Sequence, residues 1–261
     1  MPIDVLVDAV LAGILATLAC GLGVLPLMAK GLDPAKHTGV GYGFAGGLMF
    51  AASVYNLILP GLDLGAKGWD FQDVLPITVG ILLGSVFLAM VEKHLHQEAG
   101  QKESKRSKRW GGRTGVLVLL AMTVHSIPEG VAVGVGYTSD AVGDPGTNLG
   151  PTLALAIAIH NIPEGLAVAI PLRSAGARIS RCFCAAVFTS LPQPIAAVPA
   201  VLLAWFFQPL MPLLMGFAAG AMIFLVILEL IPEALNTTTP SKIAWAFVTG
   251  FCLMMLVQVV L

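Results

Sequence analysis

Residues 125–133 read His-Ser-Ile-Pro-Glu-Gly-Val-Ala-Val, and residues 160–168 read His-Asn-Ile-Pro-Glu-Gly-Leu-Ala-Val. Each copy of this polar cluster sits inside an apolar run long enough to cross a membrane, which takes about 20 mostly apolar helical residues. Extending the search outward gives eight such runs, at roughly 5–29, 39–61, 74–92, 114–137, 151–172, 182–206, 210–232 and 243–261. The expected fold is an all-α integral membrane protein, a single domain over 1–261. The polar stretch 93–113, which shows no apolar period, reads as its longest loop.

Composition agrees. Soluble domains carry about a quarter of their residues as Asp, Glu, Lys and Arg. This chain of 261 residues has 11% charged and 57% hydrophobic residues, with a mean hydropathy of +0.87. That is too little charge for a water-facing surface, and lipid is the expected surroundings. Net charge is −1 and the only basic cluster is the loop 93–113, so nucleic acid, which needs a basic face, is not an expected partner. Of the four cysteines, Cys20 and Cys252 lie in apolar runs, while Cys182 and Cys184 form Cys-Phe-Cys. Buried inert thiols are expected rather than a disulfide framework. The start, Met-Pro-Ile-Asp-Val, lacks the positive charge of a signal peptide and reads as a retained first span.

Cytoplasmic loops are enriched in Lys and Arg. With eight spans the odd-numbered loops share one side. They hold Lys30 and Lys36; Lys93, Lys102, Lys105, Arg106, Lys108, Arg109 and Arg113; Arg173, Arg178 and Arg181; and Lys242. Only Lys67 falls opposite. A wrong span count would scatter these cations. The expected orientation places 93–113 in the cytoplasm and both termini outside.

A second pair of segments matches as well: Gly43-Phe-Ala-Gly-Gly-Leu-Met49 in span two and Gly216-Phe-Ala-Ala-Gly-Ala-Met222 in span seven. Spans four and five run in opposite directions, as do spans two and seven. The pattern is an inverted repeat, spans 1–3 and 6–8 flanking a central pair, and transporters place substrate sites at such repeat interfaces.

In the central pair, His125 and Glu129 lie four residues apart, as do His160 and Glu164, which stacks each pair on one helix face. A charge at the bilayer centre costs at least ~2.5–3.5 kcal/mol, and neither span contains a Lys or Arg to offset its glutamate. A divalent cation would. Imidazole with carboxylate suits Zn2+, with Fe2+, Mn2+ and Cd2+ as alternatives, better than Mg2+ or K+. Pro128 and Pro163 precede the glutamates, and Gly130 and Gly165 follow them. Each proline should break its helix and free the carbonyl of Val124 or Ile159 beside a pocket.

Competing readings remain at this stage. The pairs could be hydrogen-bonded packing devices in a structural or receptor-like bundle, although two copies with the same Pro and Gly weigh against that. An intramembrane metal-dependent hydrolase is the alternative of a different class, without the zincin His-Glu-x-x-His on one helix. Among weaker candidates, Met49 offers a thioether, while Ser53 and Asn56 continue a polar stripe along span two. Glu229 and Glu233 read equally as a vestibule or as interfacial carboxylates, and His94 and His96 as solvated surface residues. Gln193 sits between Pro192 and Pro194 inside span six.

The paired His-x-x-Pro-Glu-Gly segments, the eight spans and the outside termini resemble the ZIP (Zrt/Irt-like protein) metal transporters. Gly-Phe-Ala-Ala-Gly-Ala-Met and Glu-Leu-Ile-Pro-Glu are most similar to the GufA-like branch. The resemblance covers nearly the whole chain. It implies a 3+2+3 helix bundle in the plasma (inner) membrane, often dimeric, moving divalent metal toward the cytoplasm by alternating access, with no cofactor. Carried over by position, it implies a primary site of His125, Glu129, His160, Glu164 and Met49. Some relatives hold a second metal where this chain has Ser126, Asn161 and Gln193. Neutral amides there remove the charge for a second dication, so one metal is expected, with Asn161 and Gln193 as weak or indirect partners.

Overall fold

A computed structural model describes residues 3–28, 34–63, 70–99, 112–143 and 148–260. Among them no strand occurs. Seven helical spans among the described residues are long and apolar enough to cross a membrane. Span four, Gly112–Val142, adds a further helix of 31 residues, about 46 Å at 1.5 Å per residue. The outward faces carry large apolar side chains, among them Leu15, Leu82, Ile195, Phe206 and Trp245. Such a surface suits hydrocarbon rather than water. The chain is an all-α, multi-pass integral membrane protein.

Span three runs as helix from Phe71 to Ala99, well past the expected boundary at 92. Span four already begins at Gly112. Lys93-His-Leu-His-Gln-Glu-Ala99 contains mostly helix-forming residues, so lost hydropathy does not end the helix. The rest of the expected loop lies outside the described residues. The cysteines are unpaired, but only Cys20 and Cys182 are buried; Cys184 and Cys252 lie on exposed faces. A small apolar thiol is as compatible with a lipid-facing surface as with a core.

The expected breaks at Pro128 and Pro163 do not occur: span four is continuous, as is span five, Leu149–Ser174. Among the described residues, span one ends in a 3-10 helix over Leu25–Met28, and spans two, six and seven depart from α-helix within their length. Span two, from Pro34, becomes π-helical over Ser53–Ile58 before Leu59–Asp63. Span seven, from Met211, does the same over Val226–Leu230 before Ile231–Leu235. Each π segment begins four residues after the repeated methionine and is followed by Leu59-Pro60 or Ile231-Pro232. A proline without an N–H, clashing with the carbonyl four residues earlier, favours this wider turn. Span six breaks at Leu191, between Ile179–Ser190 and Pro192–Phe206. Pro194 has no N–H for the Ser190 carbonyl, and Thr17 of span one donates to it instead at 2.8 Å. Ser126 of span four donates to the adjacent Thr189 carbonyl at 2.9 Å.

The helices pack as two groups of four. Spans one, four, five and six contact one another, and span two packs on eight while three packs on seven. The pairs obey the inverted repeat: one on five matches six on four, and three on seven matches eight on two. Contact glycines explain the closeness. A Cβ at Gly47 would overlap the Phe247 carbonyl of span eight, and one at its repeat mate Gly220 would overlap the Ile81 carbonyl of span three. Likewise Gly130 faces the Gln193 carbonyl and Gly165 the Cys20 carbonyl. These two glycines clamp the central helices sideways, which keeps them regular through the neighbouring prolines. Among the described residues, every such backbone contact between spans lies inside one group. Small residues spaced four apart allow this approach between membrane helices.

The turn between spans four and five is fixed by Asp140, whose two carboxylate oxygens accept the N–H groups of Leu149 and Gly150, each at 2.8 Å. A carboxylate at a helix N-terminus satisfies free donors and complements the dipole. Asp140→Ala should lower stability in detergent by about 1–2 kcal/mol. Thermal denaturation followed by size-exclusion chromatography would read the loss.

Candidate metal centre

Spans four and five bring their two polar clusters face to face. His125 Nε2 lies 3.3 Å from Glu129 Oε1 on its own helix and 3.1 Å from Glu164 Oε1 on the other. His160 Nε2 lies 2.7 Å from Glu129 Oε1. Each histidine thus reaches the glutamate of the opposite helix. All four residues are buried, at 0–2% exposure. One donor atom each from His125, Glu129 and Glu164 lie within 4.8 Å of one another, and His160 joins through Glu129. An ionised carboxylate only accepts hydrogen bonds, so the histidines donate through Nε2. A cation would take the carboxylate lone pairs and displace the Nε2 protons to reach the imidazole nitrogens.

Gln193 Nε2 donates to the other oxygen of Glu129. Asn161 Nδ2 donates to Gln193 Oε1 at 3.2 Å and to the Ala16 carbonyl at 2.9 Å. Ser126 gives its hydroxyl proton to the Met122 and Thr189 carbonyls, tying span four to the break in span six. Met49 is fully buried on span two, which packs against span five. Ser53 is bonded back to the Met49 carbonyl at 2.8 Å. Asn56 is buried within the π segment with neither amide atom bonded among the described residues. Glu229 holds the corresponding place in the span-seven π segment, seven residues after Met222; Glu233 lies beyond that segment in the final helical turns. His94 is exposed, and the side chain of His96 lies outside the described residues.

The Ala16 carbonyl was not foreseeable, because a backbone acceptor has no sequence signature. The π segments did have one: a proline eleven residues after Met49 and ten after Met222.

Comparison with known proteins settles what kind of molecule carries this site. The model of the ZIP zinc transporter family matches residues 92–258, more than half of the chain. The chain belongs to the ZIP family. Zinc transporter GufA of Myxococcus xanthus is 33% identical over 251 residues, covering 93% of this chain and 96% of that protein. Zinc transporter ZIPB of Bordetella bronchiseptica is 36% identical over 261 residues, covering 97% and 81%. An Arabidopsis thaliana relative, 40% identical over 228 residues, is much longer, and the aligned part is 35% of it. ZIP proteins are transporters rather than enzymes, and the similarity to GufA supports the expected branch.

Proposed function

We propose that this ZIP protein carries zinc across the membrane through the buried His/Glu centre, by alternating access and toward the cytoplasm. The observation that carries the reading is the crossed arrangement of His125, Glu129, His160 and Glu164. Two carboxylates and two imidazoles balance a dication and supply four donors, the number that zinc commonly takes. We assign these four as ligands, with Met49 as an accessory donor from span two. Fe2+, Mn2+ and Cd2+ are further candidate substrates on ligand chemistry alone. The family relation argues against the hydrolase reading.

The packing supports a particular division for the movement. Spans one, four, five and six contain every proposed ligand except Met49, and their mutual contacts are backbone-close. Between the groups, Tyr42 of span two reaches the Ala167 carbonyl of span five at 3.4 Å, a long bond. The group bearing the site would shift against spans two, three, seven and eight. The Lys and Arg distribution supports termini outside in a plasma (inner) membrane, and the resemblance to ZIP proteins supports a dimer in lipid.

Uptake of radiolabelled zinc into proteoliposomes tests the reading. Saturable uptake above empty liposomes is expected, reduced by excess unlabelled zinc more than by equal Mn2+. Zinc bound by the purified protein without net movement would overturn it.

A further inference from the structure

The two oxygens of Glu129 meet different neighbours. Oε1 faces the histidines, 2.7 Å from His160 Nε2 and 3.3 Å from His125 Nε2, whereas Oε2 accepts from Gln193 Nε2. The direction of this amide is set from a distance. The Ala16 carbonyl can only accept, so Asn161 must turn its NH2 toward it. The same NH2 meets Gln193 Oε1, which leaves the Gln193 NH2 for Glu129. Asn161, Gln193 and Glu129 are all fully buried, and water does not compete for these bonds.

We propose that the Ala16–Asn161–Gln193 relay determines metal specificity by holding Glu129 as a one-oxygen ligand. The proposal rests on the reading of Glu129 as a ligand. With Oε2 held by the Gln193 N–H, chelating one ion through both oxygens or bridging to a second would cost that bond, whereas the imidazole protons on Oε1 leave as the metal takes the histidines. The centre then offers a few single donors, which suits four-coordinate zinc. Manganese, which favours six mostly oxygen ligands, is left short of donors. Asn161 and Gln193 are positioning residues in this account rather than metal ligands. Their effect is to fix the coordination number, as partners behind a ligand commonly do.

The test is competitive uptake of zinc and manganese by proteoliposomes bearing wild type, Gln193→Met, Asn161→Ser or Glu129→Gln. Gln193→Met keeps side-chain length and removes the N–H. It should retain uptake while the zinc-to-manganese ratio falls on the order of tenfold. Asn161→Ser frees the Gln193 amide to turn and should lower the ratio in the same direction by less. Folded Gln193→Met with a wild-type ratio overturns the relay. If that variant does not fold, a wild-type ratio in Asn161→Ser overturns it instead. Uptake that requires Glu129 while the ratio stays unchanged removes the relay alone. Uptake indifferent to Glu129→Gln removes the site reading on which it rests.

Discussion

Glu129→Gln and Glu164→Gln should each bring zinc uptake into proteoliposomes close to that of empty vesicles. Glutamine preserves shape, so the effect isolates charge. With both glutamates ionised a bound dication is neutralised; with one replaced, a net positive charge remains among buried groups. An unpaired charge at membrane depth costs at least ~2.5–3.5 kcal/mol. At about 1.4 kcal/mol per tenfold, that is a loss of roughly a hundredfold or more. The histidines should differ from each other. His125 lies within 3.3 Å of both carboxylates, whereas His160 is paired with Glu129. His125→Ala should therefore cost more than His160→Ala, and initial rates at low zinc are the measurement. Wild-type rates in either glutamine variant would remove that glutamate from the path.

Much of this centre could be read from the chain because its logic is local. Helical spacing of four put His125 and Glu129 on one face, and His160 and Glu164 on another, and the repeat implied that the two pairs belong together. Their crossing, each histidine on the other helix's glutamate, needs the relative rotation of two helices, which spacing does not contain. The prolines misled for a related reason. A break at Pro128 or Pro163 is what an isolated helix would show, but the contacts of Gly130 and Gly165 hold these spans in line. The same chemistry does act at Pro194, Pro60 and Pro232, where the local packing lets the backbone open. Asn161 and Gln193 looked like ligands that had lost their charge. That Gln193 bonds Glu129 while Asn161 bonds Gln193 and the Ala16 carbonyl appears only once spans one, five and six are placed together. The glycine pairs Gly43/Gly47 and Gly216/Gly220 were visible as a repeat, but the helices they touch were not.

Those contact glycines give the other large expected effect. Gly165→Ala and Gly47→Ala should destabilise the detergent-purified protein strongly, and Gly41→Ala should not. The added methyl at Gly165 would overlap the Cys20 carbonyl, and at Gly47 the Phe247 carbonyl, whereas nothing lies within 4 Å at Gly41. Overpacking a close-packed interior costs typically about 1–3 kcal/mol. The upper end applies here, because the obstructing atom is backbone and no rotamer change can withdraw it. The two sites should also differ in what a surviving fraction can do. Gly47 lies between spans two and eight, on neither helix that carries the four His and Glu ligands and near only the accessory Met49, so folded Gly47→Ala protein should keep most of its apparent affinity for zinc. Gly165 follows Glu164 directly, and pushing span five off span one would move that carboxylate and stretch the Asn161 bond to Ala16. Folded Gly165→Ala should therefore bind zinc more weakly as well as melt earlier. Thermal stability and zinc titration on the same preparations separate the effects. Equal zinc affinity in both variants would mean that the span one–span five contact supports the fold without setting the geometry of the centre.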